Sequence, residues 1–447
     1  EDAAAPDIAG LSTDTRTLRR GQVFCALRGE RFDAHEYLGD AVAAGAALLI
    51  IDREDAADAL DAPETPVLLV GDCVKALARL AAAYRRTLNA RVIAITGSAG
   101  KTTAKIMLQA VLGPHYAGSA SPKSFNNHIG VPLTLLNAEP GDAYVVVEVG
   151  TNAPREIAPL ARIAAPDIAI ITHVGAAHLE GLKDVESVAR EKAALMTHLR
   201  DGGWAIVNGD LDVLKPYLKV VDHVITFGRS AECDLRLTGY EWRDDRAAME
   251  VNGRARFELP LLGVHNAINA LAAVAVGRHM KLTDEQIDAG LRTVQPPEMR
   301  LGIERCGSGD DAVVLINDAY NANPDSMAAA IEVLRSHPAP EGARRVAVLG
   351  DMLELGPEAP QWHRRVGQQV VDADLDFVVF IGRLSMYAAE AALKSWDESR
   401  ARAMASWTDD IVDEVAGLIQ PGDVVMIKAS RAMGLERLAA AIQHRFS

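Results

Sequence analysis

Short apolar runs recur along the chain, and most are unbroken instead of alternating with polar residues. They fall at residues 23–27 (VFCAL), 47–51, 67–70, 92–95, 144–149 (YVVVEV), 166–172 (PDIAIIT), 204–208, 223–227, 312–317, 345–349, 377–381 and 424–428. An unbroken run bounded by turn residues reads as a strand covered on both faces. Between the runs lie Ala-rich stretches with helical period: 37–45, 74–86, 101 to the stop at Gly113-Pro114, 130 onward, 185–199 and 262–277. Further helix starts fall near Pro324, Pro357, Ser385 and Gly434. Strands and helices in alternation predict parallel sheets. Residues 234–260 break the rule: they alternate and carry the turn signals Asp244-Asp245 and Asn252-Gly253, which predicts a β-hairpin or small antiparallel patch. Pro296-Pro297 then interrupts the chain and leaves Arg300 in a loop. The expected architecture is α/β in three units. A small N-terminal α/β unit spans 1–88, a central, mostly parallel sheet of the P-loop ATPase kind spans 89–308, and a Rossmann-like unit spans 309–447.

Composition agrees and removes some functions. A chain of 447 residues supports two or three cores. With 49% hydrophobic and only 5% aromatic residues it suits α/β layers better than a β-sandwich or a disordered chain. A formal charge of −15 argues against a general nucleic-acid binder, although one nucleotide needs only a local cluster of N–H groups and cations. Cys25, Cys73, Cys233 and Cys306 form no CxxC pair and are expected to be small buried residues of a reducing compartment. No run approaches membrane-spanning length, and the opening EDAAAPDIAG does not read as a signal peptide; lacking an initiating Met, it is expected to result from trimming or from the design of the expressed sequence. A cytoplasmic protein without a membrane anchor is expected.

The strongest chemical signal is VIAITGSAGKTTAK at residues 92–105. A buried strand enters a turn of small residues, Gly97-Ser98-Ala99-Gly100, and Lys101-Thr102-Thr103 opens a helix. Strand, glycine turn and helix start direct several N–H groups, with the positive end of a helix dipole, at one point, which makes a phosphate cradle. Lys101 would reach the β- and γ-phosphates and the Thr102 hydroxyl would ligate Mg²⁺. Ile95 stands where the first glycine of the usual P-loop would be, so the turn is the shorter GxxGK[ST]. Read structurally alone, the segment is a βα turn with a surface lysine.

Other polar groups gather at strand ends. Glu148 closes an otherwise apolar strand, where a carboxylate is costly unless paired or bound to metal. His178 follows the strand at 166–172 and can share a site with Glu148. Asn126 and Asn127 are turn formers that also offer amides to a sugar or anion. His265, Asn266 and Asn269 lie in the first turns of one helix, with 265 and 269 one turn apart on one face. Lys192, beside Glu191, reads simply as a solvated charge. Near the start, the polar loops at 12–16 and 28–35 flank one strand and can form a pocket with cations for a phosphate, or stay solvated surface. Loops at 317–326 and 349–356 form a polar rim on the last unit, whose strands lack a GxGxxG fingerprint; a separate dinucleotide cofactor is therefore not expected.

Taken together, GSAGKTT, SFNNHIGVPLTLL, VVVEVGTNAPREI, THVGAAHLEGL, LLGVHNAINALAA, NDAYNANPDSM and LGDMLELG resemble the Mur ligase family across all three units. The P-loop is shared with folylpolyglutamate synthetases. The NDAYNANPDSM and LGDMLELG loops favour the member that adds a D-alanyl dipeptide, and the DNPR motif of the diaminopimelate-adding member is missing. The resemblance implies ATP-driven amide formation between the carboxylate of UDP-MurNAc-tripeptide and the amine of D-Ala-D-Ala, with ATP and Mg²⁺, in a monomer that binds neither nucleic acid nor membrane. It implies residues too. Gly97 through Thr103 would hold the ATP phosphates. Thr102, Glu148, His178 and Lys192 would hold Mg²⁺, Lys192 as a carbamate, and Lys101, Glu148, His178 and Lys192 form the catalytic set. His265 and Asn269 would lie by the adenine and Asn266 would also bind ATP, with Arg300 and Asp318 closing on ATP from the far side. Asn126 and Asn127 would contact the UDP-sugar, while Asp14, Thr15, Arg16, Arg28 and Gly29 would receive UDP. Tyr320, Asn321 and Asn323 would border the dipeptide.

The chemistry explains the demand for cations. A carboxylate must be phosphorylated before an amine can displace its oxygen, so two anions have to approach each other. The acyl phosphate must be kept from water, which calls for a unit that closes over the site. The rivals are another carboxylate–amine ligase of the folylpolyglutamate or diaminopimelate-adding kind and, from another class, a P-loop nucleotide switch or transport ATPase. The chain has no NKxD guanine-reading motif.

Overall fold

Alternate residues of the strand Arg91–Thr96 feed two different cores, Ile93 and Ile95 on one side and Val92 and Ala94 on the other. That is why its sequence is an unbroken apolar run: helices cover both faces of the sheet it belongs to. The same division recurs in the last sheet, where Leu349 and Phe380 face one cluster and Val348 and Val379 the other. In the computed structural model, residues 8–29, 32–58, 60, 62, 64–243, 245–340 and 342–446 are described; Glu30 and Arg31 of the N-terminal loop and Asp244 of the expected turn lie outside them.

Three sheets follow in chain order. The first has β1 (Leu11–Ser12), β2 (Val23–Cys25), β3 (Leu48–Ile51) and β4 (Val67–Leu69), all parallel and in sequence. The second joins β5 (Arg91–Thr96), β6 (Gly118–Ala120), β7 (Tyr144–Glu148), β8 (Ile168–Ile171), β9 (Trp204–Asn208), β10 (His223–Gly228), β11 (Leu235–Arg243), β12 (Arg246–Val251) and β13 (Ala255–Leu259). Their order is β13-β12-β11-β10-β9-β8-β5-β7-β6. The third, ordered β14-β15-β19-β16-β17-β18, comprises β14 (Gly302–Cys306), β15 (Val313–Asn317), β16 (Arg345–Gly350), β17 (Phe377–Ile381), β18 (Ala401–Met404) and β19 (Val424–Lys428).

The three-unit α/β reading holds, with differences that have physical reasons. The antiparallel strands β11 to β13 are not a separate patch: β11 starts parallel to β10 and so extends the central sheet. β14, antiparallel to β15, belongs to the third sheet although it lies before the expected boundary at 308/309. It was silent in the pattern because, as an edge strand, it is only partly covered; β18 at the opposite edge behaves likewise. The helices Asp284–Leu291 and Asp409–Leu418 also went unpredicted. The expected helix at 185–199 ends at Ala193, and a 3-10 turn, Met196–His198, follows. All four cysteines are buried and free. Among the described residues no helix is long and apolar enough to cross a membrane.

The first unit is fastened to the second. Asn137 accepts the N–H of Leu11 at 3.1 Å and donates to its carbonyl at 2.9 Å, while Leu133 of the helix Gly130–Leu136 joins the core of the first sheet.

Candidate active site

β5 lies between β7 and β8, the place where the central sheet's strand order reverses. Loops leaving three neighbouring strands therefore open on one edge, in the crevice where open parallel sheets hold ligands. After β5 comes the glycine loop. The Ser98 N–H donates to the His173 carbonyl at 2.8 Å, and the Thr172 hydroxyl donates to the Ala99 carbonyl at 2.5 Å. A methyl group on Gly97 would sit 2.1 Å from Thr172 Oγ1. Gly100 has φ +85°, and a methyl there would lie 2.6 Å from Asn269 Oδ1. These two approaches require glycine, and the shorter loop closes on them with Ile95 held inside the strand.

The helix Lys101–Leu112 begins directly after Gly100, so its free N–H groups face the same space. Lys101 Nζ donates to the Gly97 carbonyl at 2.7 Å, and burial lowers its pKa against the pull of Glu148. Behind the loop, buried Glu148 takes a hydrogen bond from Thr102 Oγ1 at 3.1 Å on one oxygen and from Asn126 Nδ2 at 3.1 Å on the other. The two candidate Mg²⁺-holding groups Thr102 and Glu148 are thus adjacent. Asn127 does something different: its Oδ1 accepts the N–H groups of Ile129 and Gly130, at 3.1 and 2.9 Å, and caps the following helix.

Lys192 corrects its plain reading. It is 1% exposed, and among the described residues its side chain has no hydrogen bond or ion pair. Burial first, and then the charge of Lys101, push its pKa well below the usual lysine value. Its neighbour Glu191 is spent elsewhere, accepting the N–H groups of Arg155, Glu156 and Ile157 at 2.8 Å each. His178 stands at φ 56° before a short helix, and its Nδ1 lies 2.6 Å from Glu354 of the third unit. Burial lowers its pKa, the positive charges of Lys101 and Lys192 add to that, and Glu354 opposes both. Glu148 and His178 belong to no cluster of three or more His, Cys, Asp or Glu side chains within reach of one ion; among the described residues that arrangement occurs only at His35, Asp52 and Cys73.

The third unit supplies the opposite wall. Strand order β15-β19-β16 places the loop after β15 beside Lys428, whose Nζ pairs with Asp318 and donates to the Asn321 carbonyl at 3.0 Å. Burial raises the Asp318 pKa, and Lys428 holds it back. Arg300 lies 4.0 Å over the Tyr320 ring and is presented between Met299 and Leu301, both at φ 54°. The Tyr320 hydroxyl meets Ser124 Oγ at 2.8 Å, Asn323 Nδ2 donates to the Ser98 carbonyl at 3.3 Å, and Asp325 lies 3.3 Å from His173. A cavity of about 380 Å³ lies between these walls. Residues 98–103 and His178 line it on one side, with His265, Asn266 and Asn269; Arg300, Asp318, Tyr320, Asn321 and Asn323 line the other. Gly263, at φ +98°, starts the helix Val264–His279 that carries the first-named trio, and Asn266 spends its amide on the Leu262 carbonyl at 2.8 Å.

Asp14, Thr15, Arg16, Arg28 and Gly29 are not among the residues lining this cavity. In the first unit Asp14 holds Arg16 Nη2 at 2.7 Å, Arg28 Nε lies 3.2 Å from Asp52, and Gly29 donates its N–H to the Phe32 carbonyl at 2.8 Å. Sequence reasoning missed Lys105, Thr172, His173, Asp325 and Glu354. Two of them carried a signal: Lys105 repeats Lys101 one helical turn on, and Glu354 sits in the LGDMLELG loop.

Family models agree with this layout. The model described as Mur ligase family, catalytic domain matches residues 7–85, the Mur ligase middle domain matches 95–277, and the Mur ligase, glutamate ligase domain matches 303–431. The UDP-N-acetylmuramoyl-tripeptide--D-alanyl-D-alanine ligase of Bacillus subtilis is 37% identical over 439 residues, covering 96% of this chain and 92% of the relative. A crystal structure of MurF from Acinetobacter baumannii matches with a TM-score of 0.85 at 31% identity, over 97% of this chain and 93% of that one. The MurF ligase of Thermotoga maritima, solved in complex with ADP, matches with a TM-score of 0.82 at 26% identity over 99% of both chains. With each of its three units matched by the corresponding model, the chain belongs to the Mur ligase family.

Proposed function

We propose that this chain is an ATP-dependent, ADP-forming ligase. It joins D-Ala-D-Ala to UDP-MurNAc-tripeptide through an acyl phosphate and so makes the UDP-MurNAc-pentapeptide precursor of peptidoglycan. The observation that carries this reading is the one cavity where the glycine loop and Lys101 face Asp318, Tyr320 and Asn323 of another unit, in a chain whose near-full-length relatives bear that ligase name.

The glycine loop and the helix start at Lys101 receive the triphosphate through N–H groups, and Lys101 swings from the Gly97 carbonyl to the γ-phosphate. His265, Asn266 and Asn269 border the nucleoside; Arg300 and Asp318 close on it from the third unit. Thr102 with Glu148, and His178 with Lys192, are the groups that would hold Mg²⁺. The donors fit: a hydroxyl beside a buried carboxylate is a hard oxygen pair, and a buried lysine with no described partner has the environment in which a neutral amine takes up CO₂ to become an anion. When bound, Mg²⁺ supplies neutralisation between the carboxylate and the γ-phosphate. Asn126 and Asn127 hold the sugar end of the substrate, and Asp14, Thr15, Arg16, Arg28 and Gly29 of the first unit receive UDP. Tyr320, Asn321 and Asn323 border the dipeptide. Residues 1–88 serve as the UDP-substrate unit, 89–301 as the ATP unit, and the residues from β14 onward (302–447) as the closing, dipeptide-binding unit. The enzyme works as a cytoplasmic monomer.

Phosphate release measured with each substrate omitted in turn tests this. Release is expected only with ATP, UDP-MurNAc-tripeptide and D-Ala-D-Ala together. Hydrolysis of ATP or GTP independent of both other substrates would instead favour a nucleotide switch or transport ATPase.

A further inference from the structure

Lys105 is a buried cation that the chemistry above does not use. It lies one turn beyond Lys101 on the glycine-loop helix, and its side chain is 4% exposed. Its Nζ donates to the Ser121 carbonyl at 2.8 Å and to the Lys123 carbonyl, and lies 3.5 Å from Glu148 Oε2. Burying an ammonium has a large cost unless several acceptors meet it. Here two of the acceptors are main-chain carbonyls of one irregular loop. Lys123 stands at φ 45°, the left-handed region a lysine seldom occupies. The same loop is tied to Glu148 twice more. Ser121 Oγ accepts the Glu148 N–H at 2.9 Å, and Asn126 Nδ2 donates to Oε1 at 3.1 Å.

We infer that Lys105 is a positioning residue for the UDP-linked substrate: it holds the loop at 121–127 against Glu148 and so couples that loop to the nucleotide-bearing helix. The inference rests on the proposed reaction, in which Asn126 and Asn127 meet the UDP-sugar and Glu148 meets the metal. Glu148 Oε2 is shared between Thr102 on the nucleotide side and Lys105 on the loop side. Any change at Thr102 is therefore transmitted to the loop through one carboxylate, and by linkage the reverse holds.

The test compares Lys105→Met with the wild-type chain. The KM for UDP-MurNAc-tripeptide is expected to rise about tenfold or more, and the KM for ATP to change by less than about threefold. The Kd of UDP-MurNAc-tripeptide, measured by calorimetry without ATP, should rise in parallel. In a double-mutant cycle with Asn126→Ala the two losses should fall short of additive, because both act through one loop. Equal rises in both KM values, or additive losses, would overturn the proposal. Should Lys105→Met not fold, the wild-type chain decides: adding ADP with Mg²⁺ must slow hydrogen exchange within residues 121–127, and unchanged exchange there overturns the coupling. Failure of wild-type enzyme to bind UDP-MurNAc-tripeptide would reject the proposed reaction instead, which keeps the two failures apart.

Discussion

Nδ1 of His178 lies 2.6 Å from a carboxylate oxygen of Glu354, joining the edge of the central sheet to the loop after β16 of the third. The main chains meet there as well, since the Glu180 N–H donates to the Glu354 carbonyl at 3.0 Å. A carboxylate on one imidazole nitrogen fixes the ring's tautomer and leaves the other nitrogen free to accept a metal. The orientation of His178 is thus tied to Glu354 of the third unit.

Glu354→Gln should therefore raise the Mg²⁺ concentration for half-maximal activity by about tenfold or more, the usual cost of losing an outer partner of a metal ligand. His178→Ala should raise it further. Mg²⁺ titrations that coincide with wild type in both variants would reject His178 as a ligand.

Lys101→Ala removes a side-chain cation drawn across the glycine loop, where Nζ now reaches the Gly97 carbonyl at 2.7 Å. Loss of one preorganised charge at the phosphoryl group is expected to lower phosphate release by about a thousandfold. Circular dichroism and the melting temperature should stay close to wild type, because the one hydrogen bond described for the lysine side chain is to its own loop. Near-normal turnover in the folded variant would refute the assignment.

Lys192 gives a chemical readout. Burial and the charge of Lys101 lower its pKa well below the usual lysine value, which favours the uncharged amine that takes up CO₂. Stripping CO₂ at mildly acidic pH should lower activity, and bicarbonate should restore it; the Lys192→Ala variant should ignore bicarbonate. An indifferent wild-type enzyme would leave Lys192 as a structural residue.

Why some of this was legible and some not is clear residue by residue. The unbroken runs at 92–95 and 144–149 announced a covered parallel sheet, and the glycine loop after the first announced phosphate chemistry, because both signals are local. Lys192 looked like solvated charge, since its burial depends on the packing of 185–193 under the site and leaves no mark in its own neighbours. Lys105 and Glu354 are similar: each gains meaning from a partner 43 to 176 residues away, Lys105 at Glu148 and Glu354 at His178. The edge strands β14 and β18 escaped notice because half-covered strands carry weak apolar patterns.

Gly100→Ala probes the loop geometry directly. A φ of +85° costs an L-residue about 1–2 kcal/mol, and the new methyl would also press on the Asn269 amide 2.6 Å away. ADP affinity by calorimetry should fall about tenfold or more. Combining the change with Asn269→Gly removes the contact but not the backbone strain. If the contact matters, the pair should lose less than the sum of the two single changes; strict additivity would show that backbone strain alone is at work.

His265 sits in the cavity wall in the first turn of its helix, with its pKa brought from 6.5 to about 4, by burial first and then by the charges of Lys428 and His173. The folded protein therefore keeps the ring neutral, while the unfolded chain takes a proton as soon as pH falls below 6.5. Above that value the residue contributes no pH dependence. Between 6.5 and about 4 the unfolded state binds more protons, so stability falls with pH, by about 3 kcal/mol over the whole window. Other buried histidines, His337 and His363 among them, act in the same direction, so the single residue has to be isolated by difference. In urea unfolding at pH 7 and pH 5, wild type is expected to lose about 2 kcal/mol more than His265→Asn. Equal losses in the two proteins would mean that the ring accepts its proton in the folded state, and a nucleotide site walled by a neutral imidazole at pH 5 would then be ruled out.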